Sequence, residues 1–238
     1  MKLPILFLIV LPAIAQPPCV ATSPRGEFPI AHVGGSPKLT LNEHSPLWEG
    51  AAAQSMSKDC QRDIDYPQTK TLIKAIWTDT DLYLLFRCPY AELNLILPAN
   101  HAVPRDGLWD HDVVEMFIGD DWQDIRHYRE FEIAPTGDWI DLAIDLRRDS
   151  FDQTWRSGWE TLARVDEAHK TWYAAARIPL KAVSTAPVKA GTKWRMNMYR
   201  IDGPSPDATR HFLCWQPTCD PKRGNHVPES FGTLVFGR

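Results

Sequence analysis

The sequence carries no run of five or more like charges, and its 26 Lys and Arg are outnumbered by 30 Asp and Glu, for a formal net charge of −4. A nucleic-acid-binding chain normally shows a basic patch or stripe, so that class is set aside. After the N-terminal region no apolar run approaches the roughly 18 residues of a membrane-spanning helix. There is no CxxC, and no Cys/His spacing of the kind that holds zinc. The histidines are scattered, and none lies in an HExxH motif or beside a nucleophile elbow. No long segment has apolar residues at a 3.6-residue period, which excludes a helical bundle. Cysteine is sparse as well as unpatterned. Five residues (Cys19, Cys60, Cys88, Cys214 and Cys219) leave at least one thiol free or paired between molecules. Cys214 with Cys219, which flank "WQPT", and Cys60 with Cys88 are two pairings the sequence allows without choosing between them.

What the chain does have is 238 residues, 44% of them apolar, and ten tryptophans. That suits one or two domains, and a single sandwich or barrel of roughly 200 residues would use the chain. The N-terminal "MKLPILFLIVLPAIA" has a basic residue, a short apolar run and a small-x-small end. It is read as a secretory signal peptide cut after Ala15, so the mature protein is expected to be secreted or periplasmic, where disulfides are permitted. Residues 16–38 are rich in Pro, Gly and Ser and read as an arm or linker. Residues 39–238 read as one domain.

That domain is written in short period-2 runs. "TLIKAIW" (71–77) and "LYLLFRC" (82–88) are joined by "TDTD" as a hairpin. "VVEMFIG", "YREFEIAP", "WIDLAIDL", "WETLARV", "TWYAAARIPL", "KWRMNMYRI", "HFLCWQP" and "FGTLVFG" follow, and "PLKAVS" has room for one helical turn. Ten or so strands with almost no helix predict an all-β antiparallel β-sandwich or jelly roll.

Alternation also sorts faces. In "VVEMFIG", Val114, Met116 and Ile118 point one way, and Val113, Glu115 and Phe117 the other. In "KWRMNMYRI" a core stripe of Trp194, Met196 and Met198 opposes Arg195, Asn197 and Tyr199. Glu130 and Glu132 oppose Phe131 and Ile133. A face of carboxylates, an amide and rings, below Trp109 on a preceding loop, is the chemistry a sugar needs. Rings stack on its C–H face, and polar groups bond its hydroxyls. The competing reading is a solvated sheet face with cross-strand ion pairs. Carboxylates about 5 to 10 Å apart would also allow glycoside hydrolysis. However, Glu115, Glu132, Asp141 and Asp145 sit on regular strands, so no catalytic residue is assigned. "DHD" (110–112) is either a solvated acidic loop or a candidate oxygen site for calcium.

The ordered series "TDTDLYLLFRC", "RDGLWDHDVVEMFIG", "YREFEIAPTGDWID", "WYAAARIPL", "GTKWRMNMYRID" and "HVPESFGTLVF" resembles the family 9 carbohydrate-binding modules of the DOMON superfamily, from about Leu39 to Phe236. The resemblance implies a β-sandwich that binds sugar without a chemical step and needs no cofactor, with structural calcium as an option. Its ligand would be a carbohydrate end, and a separate polysaccharide-degrading enzyme is a candidate partner. It places a stacking tryptophan at Trp109, a hydroxyl acceptor at Glu115 and a binding amide at Asn197. Glu132, Tyr199, Trp215 and His226 complete the expected carbohydrate-binding set. The family's second sandwich tryptophan has its place at Asn225, beside His226, so the clamp has lost a ring. The superfamily's haem-binding branch is the alternative. It would need axial ligands, and Met116, Met196 and Met198 read as core.

Overall fold

The alternating runs become strands because each has one apolar face to bury. The computed structural model describes residues 19–20, 25–204 and 209–238, and the expected signal peptide lies outside the described residues. The strands in chain order are β1 (Glu27–His32), β2 (Ala52–Met56), β3 (Thr71–Trp77), β4 (Asp81–Pro89), β5 (Val113–Gly119), β6 (His127–Ile133) and β7 (Trp139–Asp145). They continue with β8 (Ser150–Asp152), β9 (Glu160–Asp166), β10 (Thr171–Pro179), β11 (Lys193–Asp202), β12 (His211–Cys214) and β13 (Gly232–Phe236). The turn foreseen in "PLKAVS" is the one-turn helix α1 (Leu180–Val183).

Hydrogen bonding links them in the order β8-β7-β6-β5-β11-β13-β1-β3-β4-β10-β9, with β12 beside β11 and β2 beside β3. This long sheet curls into two facing layers. The first runs from β8 to β13, the second from β3 to β9, and β1 joins them. Residues 27–30 of β1 pair with β13, and residues 31–32 pair with β3. Both pairings are parallel, so the sandwich is mixed at this one strand and antiparallel elsewhere.

The segment read as an arm is corrected by β1. Phe28 and Ile30 alternate with Glu27 and Pro29 and are buried in the main core. The alternation covers too few residues to stand out from the Pro- and Gly-rich sequence around it. A disulfide between Cys19 and Cys219 ties the start of the described chain to the same layer. The other two pairings do not form: Cys60, Cys88 and Cys214 are buried free thiols. Cys88 lies in the main core, while Cys60 and Cys214 lie on the outer face of the first layer.

Between the layers, Val114, Met116 and Ile118 of β5 and Trp194, Met196 and Met198 of β11 meet Leu84 and Phe86 of β4 and Trp172 of β10. Each such side chain contributes about 1.5–3 kcal/mol when fully buried. The three methionines are therefore core residues. The outer face of the second layer is closed by Leu39, Leu47 and Trp48, which pack on Ile76, Tyr83 and Leu85. The outer face of the first layer is also covered, but not completely.

Candidate functional site

Register sets the floor of the site. Across the outer face of the first layer, Ile140, Glu132, Glu115 and Tyr199 lie opposite one another in a row. The next row is Leu142, Glu130, Phe117 and Asn197. Glu115 and Glu132 are thus direct cross-strand partners, with Glu130 diagonal to Glu115 and next to Glu132 on the same face of β6. A like-charged cross-strand pair is destabilising, and here three carboxyls meet. All are buried: Glu115 is 2% exposed, Glu130 4% and Glu132 0%.

Loops build the walls. Gly107 adopts a left-handed φ of 79°, which glycine alone tolerates cheaply, and starts the tight turn Leu108–Asp110. Leu108 is buried and Trp109 stays 36% exposed. Arg210 Nη2 donates to the carbonyls of Trp109 (2.9 Å) and His111 (3.0 Å) and pins this turn. Asp112 accepts from the backbone N–H of Asn94 (2.7 Å) and Gly203 (3.0 Å). Within the "DHD" loop Asp110 is solvated, while Asp112 is a buried staple whose two oxygens are both used. Among the described residues there is no group of three or more His, Cys, Asp or Glu that could hold a metal ion.

Opposite Trp109, Asn225 Nδ2 donates to Glu115 Oε2 (2.8 Å). The Asn225 carbonyl accepts from the Tyr199 hydroxyl (2.8 Å), which in turn accepts from Asn197 Nδ2 (2.8 Å). His226 lies against Phe117 (5.0 Å between centroids) and edge-on to Phe151 (4.9 Å), and its Nδ1 is hydrogen-bonded to the Tyr128 hydroxyl (2.7 Å).

The result is a cavity of about 470 Å³, within the usual size of a small-molecule site. Trp109, Asp110, Glu115, Phe117 and Glu130 line it from β5, β6 and the turn before β5. Phe151, Arg210, Phe212, Asn225 and His226 close the other side. Of the residues singled out in the sequence, the structure brings Trp109, Glu115 and His226 together in this cavity. Glu132 lies behind it, with no surface exposed. Asn197 and Tyr199 lie beneath it and support Asn225. Asn197 Oδ1 also accepts from the N–H of Met198 and Gln216, and its second amide proton goes to the Gln216 carbonyl, so its bonding capacity is filled. Trp215 is elsewhere. β12 ends at Cys214, and the Trp215 ring packs on Phe28 and on Gly26 and Gly232. A Cβ at Gly232 would fall 2.6 Å from that ring.

Phe117 and Glu130 share the alternation of Glu115 and Glu132, so the sequence pattern carried a signal for both. Phe151, Arg210 and Phe212 arrive on other segments, and no local pattern marks them.

Electrostatics set the floor apart. Among the described residues, no donor from elsewhere reaches Glu130 Oε2 or either Glu132 oxygen. Burial and the charge of Glu130 push Glu115 up to about 8, against the hydrogen bond from Asn225 and the charge of Arg210. Burial pushes Glu130 up to about 7, opposed by its hydrogen bond with Glu132. Burial, then the charges of Glu115 and Glu130, hold Glu132 well above the carboxylate range. The three carboxyls share protons near neutral pH. Burial lowers His226 to about 4, so its ring is uncharged there.

Residues 43–237 match the sequence model of the family described as carbohydrate family 9 binding domain-like. No curated protein matches the chain. Several solved structures share its fold. A proposed carbohydrate-binding protein of Bacteroides uniformis aligns with a TM-score of 0.69 and 18% identity, over 88% of this chain and 98% of that one. A family 9 carbohydrate-binding module of Caldicellulosiruptor kristjanssonii in complex with cellotriose aligns with a TM-score of 0.61 and 16% identity, over 90% and 95%. A family 9 module of the same organism in complex with glucose aligns with a TM-score of 0.57 and 17% identity, over 88% and 96%.

Proposed function

The chain belongs to the carbohydrate family 9 binding domain-like family, and from that premise we propose that it binds the end of a carbohydrate in the Trp109 cavity without transforming it. One observation carries this reading: a half-exposed indole stands at the mouth of a ring-walled cavity whose floor is made of hydroxyl-binding side chains. Trp109 stacks on the C–H face of a pyranose, while Glu115, Glu130 and Asn225 bond its rim. His226 and Phe151 stand on the side where the family's second tryptophan is missing, and they supply a shallower ring wall. The family 9 modules bound to cellotriose and glucose support a sugar as ligand.

Isothermal titration with glucose, cellobiose and xylobiose tests this. Saturable binding to at least one sugar, weakened about tenfold in Trp109→Ala, is expected, because ring stacking contributes about 0.5–1.5 kcal/mol beyond burial. Equal affinity in Trp109→Ala would remove Trp109 from the site.

The role belongs outside the cytoplasm, in the capture of polysaccharide for a separate degrading enzyme. The leader-like N-terminus and the Cys19–Cys219 disulfide support this setting. Sequencing the N-terminus of the protein recovered from an exporting host should begin at Gln16. An intact Met1 on cytoplasmic protein would sink the idea.

A further inference from the structure

The floor of the cavity concentrates carboxyl groups. Glu115 and Glu130 both line the cavity, and Glu132 touches them from behind. Glu130 is nine-tenths buried, and its Oε2 has no donor from elsewhere among the described residues. The cations on the wall already have partners of their own. Arg223 bonds Asp220 and Glu229. Arg210 donates to two backbone carbonyls, and its charge is felt by Glu115. Asp110 adds a further carboxylate at the lining, and uncharged His226 adds no positive charge.

The rings point the same way. Trp109, Phe117 and Phe151 line this cavity, as does Phe212, whose ring already lies under the Arg210 guanidinium (5.5 Å). The face of an aromatic ring is its electron-rich side and attracts a cation. An ammonium group offers one positive charge and three N–H donors with no acceptor. That matches a floor of carboxyls enclosed by rings. A hydroxyl brings one donor and no charge, and leaves the carboxyls to hold their protons.

Resting on the reading of this cavity as a carbohydrate site, we propose that it selects a sugar bearing a protonated primary amine, with the ammonium seated between Glu115 and Glu130. Binding then releases protons, because the ligand's charge favours the ionised carboxylates. Asp110 assists the ammonium, and Arg210 and Arg223 oppose it from the wall.

The test is titration calorimetry of the intact protein with three β-linked disaccharides: the glucosamine dimer, its N-acetylated form and cellobiose, at pH 7.5 and pH 5. The expected result is that the free amine binds about tenfold or more tightly than either neutral sugar at pH 7.5, a step on the scale of a desolvated cation–π contact. The preference shrinks at pH 5, where the carboxyls are protonated, and shrinks in Glu130→Gln at pH 7.5. The wild-type comparison needs no variant to fold. If cellobiose or the N-acetylated dimer binds as tightly as the amine, the ammonium proposal is overturned while the carbohydrate reading stands. If none of the three binds but glucose or xylobiose does, the ammonium proposal falls alone; if no sugar binds, both fall.

Discussion

Two sets of carboxyls are buried to the same depth and bonded very differently. Asp138 and Asp141 have no exposed surface, and each is surrounded by donors. Asp138 accepts from the backbone N–H of Asn100 (2.7 Å) and from the Thr136 hydroxyl. Asp141 accepts from both the backbone N–H and the hydroxyl of Ser157 (2.7 Å each), with Arg156 Nη1 at 3.4 Å. These aspartates organise the loops around them. Glu115, Glu130 and Glu132 are as deeply buried, and among the described residues the one donor to them from outside the cluster is Asn225, on Glu115. A fold gains nothing from three carboxyls pressed together, since burying such groups without partners is costly. Bonded carboxylates serve the structure. Unbonded ones beside a cavity mark where a ligand's donors belong.

The largest effect should come from breaking the bonded set. Asp141→Ala leaves the Ser157 N–H and hydroxyl without a partner and frees the segment that carries Trp155 and Trp159 against Phe131. Loss of a buried charged acceptor of this kind costs about 3 kcal/mol. Chemical denaturation should show a midpoint lowered accordingly. A variant within about 0.5 kcal/mol of wild type, the usual range of a surface substitution, would mean that Asp141 does not hold this loop.

How much of this was legible before the structure depends on which physical level each feature belongs to. Period-2 alternation belongs to the strand itself, so the hairpin of β3 and β4, the faces of β5 and β11, and the shared side of Glu115, Glu130 and Glu132 could all be read. Alternation says which side a residue faces, not what covers that side. Asn197 and Tyr199 do face outward from the core, yet the 215–226 segment lies over them and takes their hydrogen bonds. Trp215 sits one residue past the end of β12, where the backbone N–H turns to the Met198 carbonyl and the ring turns to the core. β1 was hidden because its stability comes from two long-range parallel pairings rather than from its own sequence. The acidity of the floor was likewise invisible as energy. Three glutamates on two strands become a cluster only through the register of β5 against β6.

A smaller effect, of opposite sign, should follow from easing the unbonded set. Glu132→Gln keeps the shape of the protonated side chain and removes its titration. In the folded protein these carboxyls hold protons above their usual range, Glu130 to about 7 and Glu115 to about 8, while in the unfolded chain they ionise near 4.3. The folded state therefore binds more protons through that window. Stability from these groups is complete below the unfolded value and falls as pH rises through 8. Glu132 has no exposed surface and faces both of the others, so neutralising it should flatten that fall. The variant should lie closest to wild type at pH 4, where the three carboxyls are protonated in the folded protein and largely so in the unfolded chain. At pH 8 the variant should be more stable than wild type, by a margin larger than at pH 4. Thermal denaturation at the two values measures the difference. A variant less stable than wild type at pH 8 would show that Glu132 is bonded as Asp141 is, and the distinction between the two sets would collapse.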